Sequence, residues 1–135
     1  KCAAIHADIV AMRNGYSTVL GPSGVLLSKG QQQRLALAQA LISLRGDRKI
    51  LILDEFTSAL DAYTENEILT NLRTKLVGKT VIIIAHRLST LSKLADKLIV
   101  LDHGRVIEEG THQELAARNR RYAELLRLQS TAQSV

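Results

Sequence analysis

The sequence has one cysteine, one proline, one methionine, one phenylalanine and no tryptophan in 135 residues. A lone Cys2 excludes an internal disulfide and any cysteine-based metal site, a usage that fits a reducing compartment. Aromatic residues make up 3% of the chain and apolar residues 46%, so the core must be built from Leu, Ile, Val and Ala, as in α/β proteins. No apolar run approaches the roughly eighteen residues needed to cross a bilayer, and the amino end lacks the charged-then-apolar order of a signal peptide. Also missing is a phosphate-binding loop of the form G-x-x-x-x-G-K-[ST]. Two segments imitate one and fail. Gly21-Pro22-Ser23-Gly24 runs into Leu26-Leu27 where the pattern needs glycine and lysine, and Gly78-Lys79-Thr80 has Arg73 where the first glycine belongs.

The length is that of one domain, or part of one, with enough chain to bury a core. Opening on Lys1-Cys2 rather than on methionine predicts a processed, truncated or trimmed product. The net charge of +5 is carried partly by Arg118, Arg120, Arg121 and Arg127. A basic balance can signal nucleic acid or anionic lipid, but these arginines are spaced like the solvated face of a helix.

Hydrophobic periodicity divides the chain into alternating helices and strands. Ile5, Ile9 and Met12 predict a short amphipathic helix over 3–12, ended by a turn at Arg13-Asn14-Gly15-Tyr16. A helix over 30–44 follows, with Ser28 as its cap and Leu35, Ala38, Leu41 and Ile42 as its apolar stripe, closed by Arg45-Gly46-Asp47-Arg48. The run Ile50 to Leu53 is too short for a helix and apolar at every position, which predicts a strand buried on both faces. Ile68, Leu69, Leu72 and Leu76 predict a crossover helix over 62–76, and 81–85 a second buried strand. A short helix at 91–95 precedes a strand, turn and strand around Asp102-His103-Gly104. Thr111 with Glu114 makes a capping box for the next helix. A final amphipathic helix carries Tyr122, Leu125, Leu126 and Leu128.

Three pieces carry chemistry. A helix amino terminus presents unpaired amides and roughly half a positive charge, so Ser28 and the Gly30 amide can form an anion site; the alternative is a plain helix cap. Asp54 and Glu55 stand at the carboxyl end of a strand, where open α/β sheets bind ligands. Adjacent carboxylates there suit a division of labour between holding a metal and activating water. By itself such a pair also reads as a solvated turn or helix start. His86 ends the second strand, where a lone histidine is otherwise structural. His6, His103 and His112 have no metal-ligand spacing.

In their order, Leu27-Ser28-Lys29-Gly30-Gln31, Ile50-Leu51-Ile52-Leu53-Asp54-Glu55 and Ser58-Ala59-Leu60-Asp61 resemble the signature motif, Walker B motif and D-loop of the ABC transporter nucleotide-binding domain. Ala85-His86-Arg87-Leu88-Ser89-Thr90 is similar to that family's switch-histidine segment, and Gly104 to His112 to its following tail, so the resemblance spans nearly the whole chain. It implies an α/β fold: part of the parallel sheet of a P-loop NTPase of the RecA-like kind, with part of the ABC helical subdomain. Residues 1–45 would be the helical and signature segment, 46–117 the α/β core, and 118–135 a carboxyl-terminal helix.

The resemblance implies roles residue by residue. Ser28, Lys29, Gly30 and Gln31 would close on the γ-phosphate of ATP held by a partner domain. Asp54 would hold Mg²⁺ through water, Glu55 would be the general base, His86 would contact the γ-phosphate and Glu55, and Asp61 would communicate across the dimer. Two positions depart from the pattern. Lys29 replaces the usual first glycine, strained if that position needs positive φ, and Phe56 replaces a small residue beside Glu55.

The same resemblance implies a second ATP-binding domain, a transmembrane domain, a site on the cytoplasmic side of a cell membrane such as the bacterial inner membrane, and no nucleic acid. The phosphate loop, the adenine-stacking aromatic and the glutamine loop would all belong to an amino-terminal half upstream, so the chain by itself is expected to be inactive. With the phosphate-loop strand upstream too, the strand 81–85 is expected to pair directly with 98–101, or two chains to complete each other by association or swapping. Two alternatives stay open: a soluble ABC-type ATPase acting on nucleic acid, and a non-catalytic interaction module that keeps the acidic pair and His86 as scaffold.

Overall fold

A computed structural model describes residues 1–44 and 47–132. Arg45 and Gly46, expected to end a helix, lie outside the described residues. The chain folds as two compact units, the first running from Lys1 to Ile84 and the second beginning at Ala85.

In the first unit, helix α1 (His6–Ala11) and a 3₁₀ turn at Gly15–Ser17 lead to helix α2 (Lys29–Ser43). Strand β1 (Ile50–Asp54), helix α3 (Ala62–Lys75) and strand β2 (Thr80–Ile84) then form a β-α-β unit. The strands pair in parallel from Ile50 opposite Thr80 to Asp54 opposite Ile84. Helix α3 is needed because two parallel strands cannot be joined by a tight turn. It buries Ile68, Leu69 and Leu72, the stripe its period prescribes.

The sheet departs from expectation on one face. Leu51 and Leu53 are buried, but Ile50 and Ile52 are 65% and 62% exposed, and Ile82 and Ile84 on β2 are about half exposed. Parallel strands ordinarily have both faces covered; here the described chain covers one. The apolar stripe of α2 also differs. Leu37 is the buried residue of the helix, its cap Leu44 is buried, and Ile42 is 61% exposed. Apolar residues occupy most positions from Leu35 to Ile42, so period alone does not choose a face. The face is set by Gly30, Gln33 and Leu37, whose spacing aligns them and whose first two members are not apolar.

In the second unit, helix α4 (Leu88–Leu94), strands β3 (Leu98–Asp102) and β4 (Arg105–Gly110), and helices α5 (His112–Ala117) and α6 (Arg121–Ala132) follow in order. Leu88, Leu98, Leu115 and Tyr122 form its core, with Leu91, Val100, Leu125 and Leu126 packed against them. Leu128, expected on the buried face of the last helix, is 60% exposed. Thr111 and Glu114 form the capping box that opens α5. His112 Nδ1 is hydrogen-bonded to the Tyr122 hydroxyl at 2.7 Å, and Glu108 Oε1 accepts from the Tyr122 amide at 2.9 Å, so these polar groups serve the fold.

The expected pairing of 81–85 with 98–101 does not form. Among the described residues β2 is laddered to β1 and β3 to β4, in separate two-stranded sheets. β3 and β4 are antiparallel and joined by His103 and Gly104 at φ +46° and +73°. Two consecutive positive φ angles make a two-residue turn whose twist matches its strands. So short a loop closes at far less entropic cost than a crossover.

Candidate functional site

The amino end of α2 is built as a cap. Ser28 Oγ accepts from the Gln31 amide at 3.2 Å, while Gln31 Oε1 accepts from the Ser28 amide at 3.0 Å, a reciprocal capping box. Lys29 is the first helical residue, exposed, and outside the positive-φ region, so the residue in the glycine position is unstrained. Gly30 matters for space. A Cβ there would stand 3.0 Å from the Ala59 carbonyl oxygen and 3.4 Å from Leu60 Cδ2, so the absent side chain lets the first turn of α2 lie directly against the segment that follows β1.

Gln31 reaches in the other direction. Its Nε2 donates to Asp8 Oδ1 at 2.9 Å, so both ends of its amide are engaged by the protein. Asp8 also accepts from Arg34 Nη1 at 2.8 Å and Nη2 at 3.3 Å, and Arg34 donates to the Ala4 carbonyl as well. The Gln31 amide, ahead of the Arg34 guanidinium, holds the Asp8 carboxyl below its ordinary value against the opposing effect of partial burial. A carboxylate with a lowered folded pKa contributes stability that is complete above the unfolded value, about pH 4, and is lost as pH falls through the folded value. Asp8→Asn is therefore expected to destabilise the protein by about 1–2 kcal/mol at pH 7. The gap between wild type and variant, followed as unfolding midpoints, should narrow progressively as pH falls below the ordinary carboxylate range.

After β1 the chain turns sharply. Glu55 has φ +43°, a left-handed conformation rare for a non-glycine residue and found where surrounding structure holds it. Its amide donates to the Ile84 carbonyl at 2.8 Å, one step beyond the ladder, and its carbonyl accepts from the Ser58 amide at 3.1 Å. Phe56, Thr57 and Leu60 are buried, so the phenyl ring packs inward, away from the exposed carboxylates. Thr57 Oγ1 donates to Glu65 Oε1 at 3.0 Å within that interior. Asp54, Glu55, Ser58 and Asp61 remain on the surface. Asp61 caps α3, accepting from the Thr64 amide at 2.9 Å and the Thr64 hydroxyl at 2.7 Å, and these bonds hold its carboxyl below the ordinary range.

One residue ties these pieces together and was not legible as a site residue. Gln33 Nε2 donates to the Glu55 carbonyl at 3.3 Å and to Ser58 Oγ at 2.7 Å, and Gln33 Oε1 accepts from the Ala59 amide at 3.0 Å. Within the first unit the structure thus brings the Ser28 to Gln31 turn against the Glu55 to Asp61 segment.

His86 belongs to the second unit. It is exposed, just ahead of α4, and its carbonyl accepts from Gln129 Nε2, while Gln129 Oε1 accepts from the Leu88 amide at 2.9 Å. Among the described residues no group of three or more His, Cys, Asp or Glu side chains could hold a metal ion. Asp54 offers one exposed carboxylate, which suits Mg²⁺, an ion that keeps several waters and takes one or two carboxylates plus substrate phosphates.

This arrangement, a β-α-β unit with a capped helix docked on the segment after its first strand, is part of an ABC ATPase fold. A solved bacterial Atm1-family ABC exporter with ATP bound is 42% identical to the chain with a TM-score of 0.84, covering 95% of this chain and 22% of that one. No family model matches the chain. Its relatives are ABC exporters. An ATP-dependent lipid A-core flippase of Legionella pneumophila (strain Paris) is 50% identical over 129 residues, and that of Cupriavidus pinatubonensis 52% over 128. ABC multidrug transporter MDR2 of Trichophyton rubrum is 47% identical over 130 residues. The chain spans 21% of the length of each of these flippases and 10% of MDR2. Among the described residues no helix is long and apolar enough to cross a membrane.

Proposed function

We propose that the chain is the carboxyl-terminal part of the ATP-hydrolysing domain of an ABC exporter, and that in the complete protein it couples ATP binding and hydrolysis to export across a membrane. The observation that carries this reading is the docking of the α2 cap, through Gly30 and Gln33, onto the segment holding Glu55 and Asp61. The helix tip and the Glu55 segment are thereby packed together in the first unit, which supports reading the one as a grip for phosphate and the other as the carrier of a water-activating carboxylate.

In this reading Glu55 takes the proton of the attacking water, and Asp54 holds Mg²⁺ through water. The ion supplies neutralisation of the charge that develops on the phosphate oxygens. Ser28 with the amides of Lys29, Gly30 and Gln31 grips the γ-phosphate of ATP bound to a second ATP-binding domain. His86 orients the γ-phosphate of the ATP held by its own domain toward Glu55, and Asp61 signals across the dimer. The partners are that second domain, a transmembrane domain, and an amino-terminal half bearing the phosphate loop, on the cytoplasmic side of a cell membrane.

The test is hydrolysis by the complete protein in lipid vesicles. Mg²⁺-dependent ATP turnover, lost in Asp54→Asn and not given by residues 1–135 alone, is expected. Steady turnover by the chain alone, or full activity in Asp54→Asn, would overturn the reading.

A further inference from the structure

Two glutamines in different parts of the chain make the same two-bond pattern. Gln33 Nε2 donates to the carbonyl of Glu55, and its Oε1 accepts the amide of Ala59, a few residues on. Gln129 Nε2 donates to the carbonyl of His86, and its Oε1 accepts the amide of Leu88, two residues on. Each lies on a helix distant in sequence from the segment it holds, and each bridges a carbonyl to a following amide where a parallel strand has just ended. Neither side chain presents its amide to a ligand, because both ends are spent on backbone. The two backbones so held are those of the residues read above as base and phosphate-orienting group. For Glu55 the need for such a tie is visible, since its φ of +43° is sustained by bonds to Ile84, Ser58 and Gln33.

We infer that Gln33 and Gln129 are positioning residues for ATP hydrolysis, their side-chain amides clamping the backbones from which Glu55 and His86 reach the reacting phosphate. This rests on the reading given under Proposed function. A clamp of this kind acts on the geometry of the reacting groups and leaves nucleotide binding alone. A displacement near 1 Å at a reacting group costs about a hundredfold in rate.

The experiment uses the complete transporter in lipid vesicles, with Gln33→Met and Gln129→Met, which keep side-chain length and remove every clamp bond. Each is expected to lower kcat for ATP by about ten- to a hundredfold, with KM within about twofold of wild type. Gln33→Glu and Gln129→Glu retain the oxygen that accepts the Ala59 or Leu88 amide and lose the donor to Glu55 or His86; they should lose kcat as the Met variants do. If the glutamines merely hold the fold, kcat will fall only in step with the unfolding temperature; that result, or wild-type kcat in the Glu variants, overturns the inference. A Met variant that fails to fold is replaced by the Glu variant at that position, which must show the loss of kcat. Glu55→Gln and His86→Ala run alongside. If both retain turnover, the functional reading itself is wrong; if both are inactive while the clamp variants turn over normally, only this inference falls.

Discussion

Glu55→Gln in the complete protein is expected to lower ATP turnover by about 10²–10⁴-fold, the contribution of a positioned general base, with nucleotide affinity little changed. Main-chain bonds help to fix this residue and survive the substitution: its amide donates to the Ile84 carbonyl, and its carbonyl accepts from Ser58 and Gln33. Glutamine matches glutamate in size, keeps those atoms and cannot take up a proton. The left-handed φ is borne equally by both side chains, so no new strain arises. Steady-state turnover together with equilibrium ATP binding makes the measurement. Loss of turnover with intact binding is the expected result, and near wild-type turnover would remove Glu55 from the role of base.

The second large effect is expected at the helix tip. Ser28→Arg should reduce turnover of the complete protein to background, whereas Ser28→Ala should keep more of it. Both variants lose the acceptor for the Gln31 amide, a cap worth about 0.5–2 kcal/mol. That loss is too small to detach α2, which keeps the buried Leu37 along its length, Leu44 at its carboxyl cap and the close approach of Gly30 to Ala59 at its start. Arginine additionally fills the space a phosphate would enter and offers its own guanidinium to the same amides' ligand. The difference between the two variants therefore measures occupancy of the tip, with helix content from circular dichroism as the check on folding.

Much of this site was legible because its local parts are set by residues three apart. Ser28 reads directly as a cap and Thr111 with Glu114 as a capping box, and the strand that delivers Asp54-Glu55 is bounded by its own apolar run. The turn at His103-Gly104 was likewise visible from residue type. What could not be read is what joins distant segments. Gln33 sits in a run of three glutamines and reads as solvated surface; its partners lie 22 to 26 positions away. Asp8 carries no motif, and its bonds to Gln31 and Arg34 arise only when α1 meets α2. Gln129 reaches back 43 positions to His86. The exposed face of β1 and β2 departs from expectation for a related reason. An all-apolar strand says that both faces suit burial, but which face is covered depends on layers that the strand does not encode. The α2 stripe failed because its docking face begins with glycine and glutamine, residues that periodicity does not count as apolar.

In the proposed dimer the Ser28 tip and the Glu55 carboxylate serve different ATP molecules, each chain lending its helix tip to the nucleotide held by its partner. Mixed dimers of the complete protein test this most directly, by ATP turnover. One chain carries Ser28→Arg and the other Glu55→Gln, with single-variant dimers and a dimer whose two lesions share one chain as references. Dimers in which both chains carry the same single lesion are expected to be inactive, and the mixed dimer to regain turnover, because both lesions then fall on one nucleotide and the other is left whole. No activity is expected when both lesions share a chain. Turnover from that last dimer, with none from the mixed one, would contradict the claim.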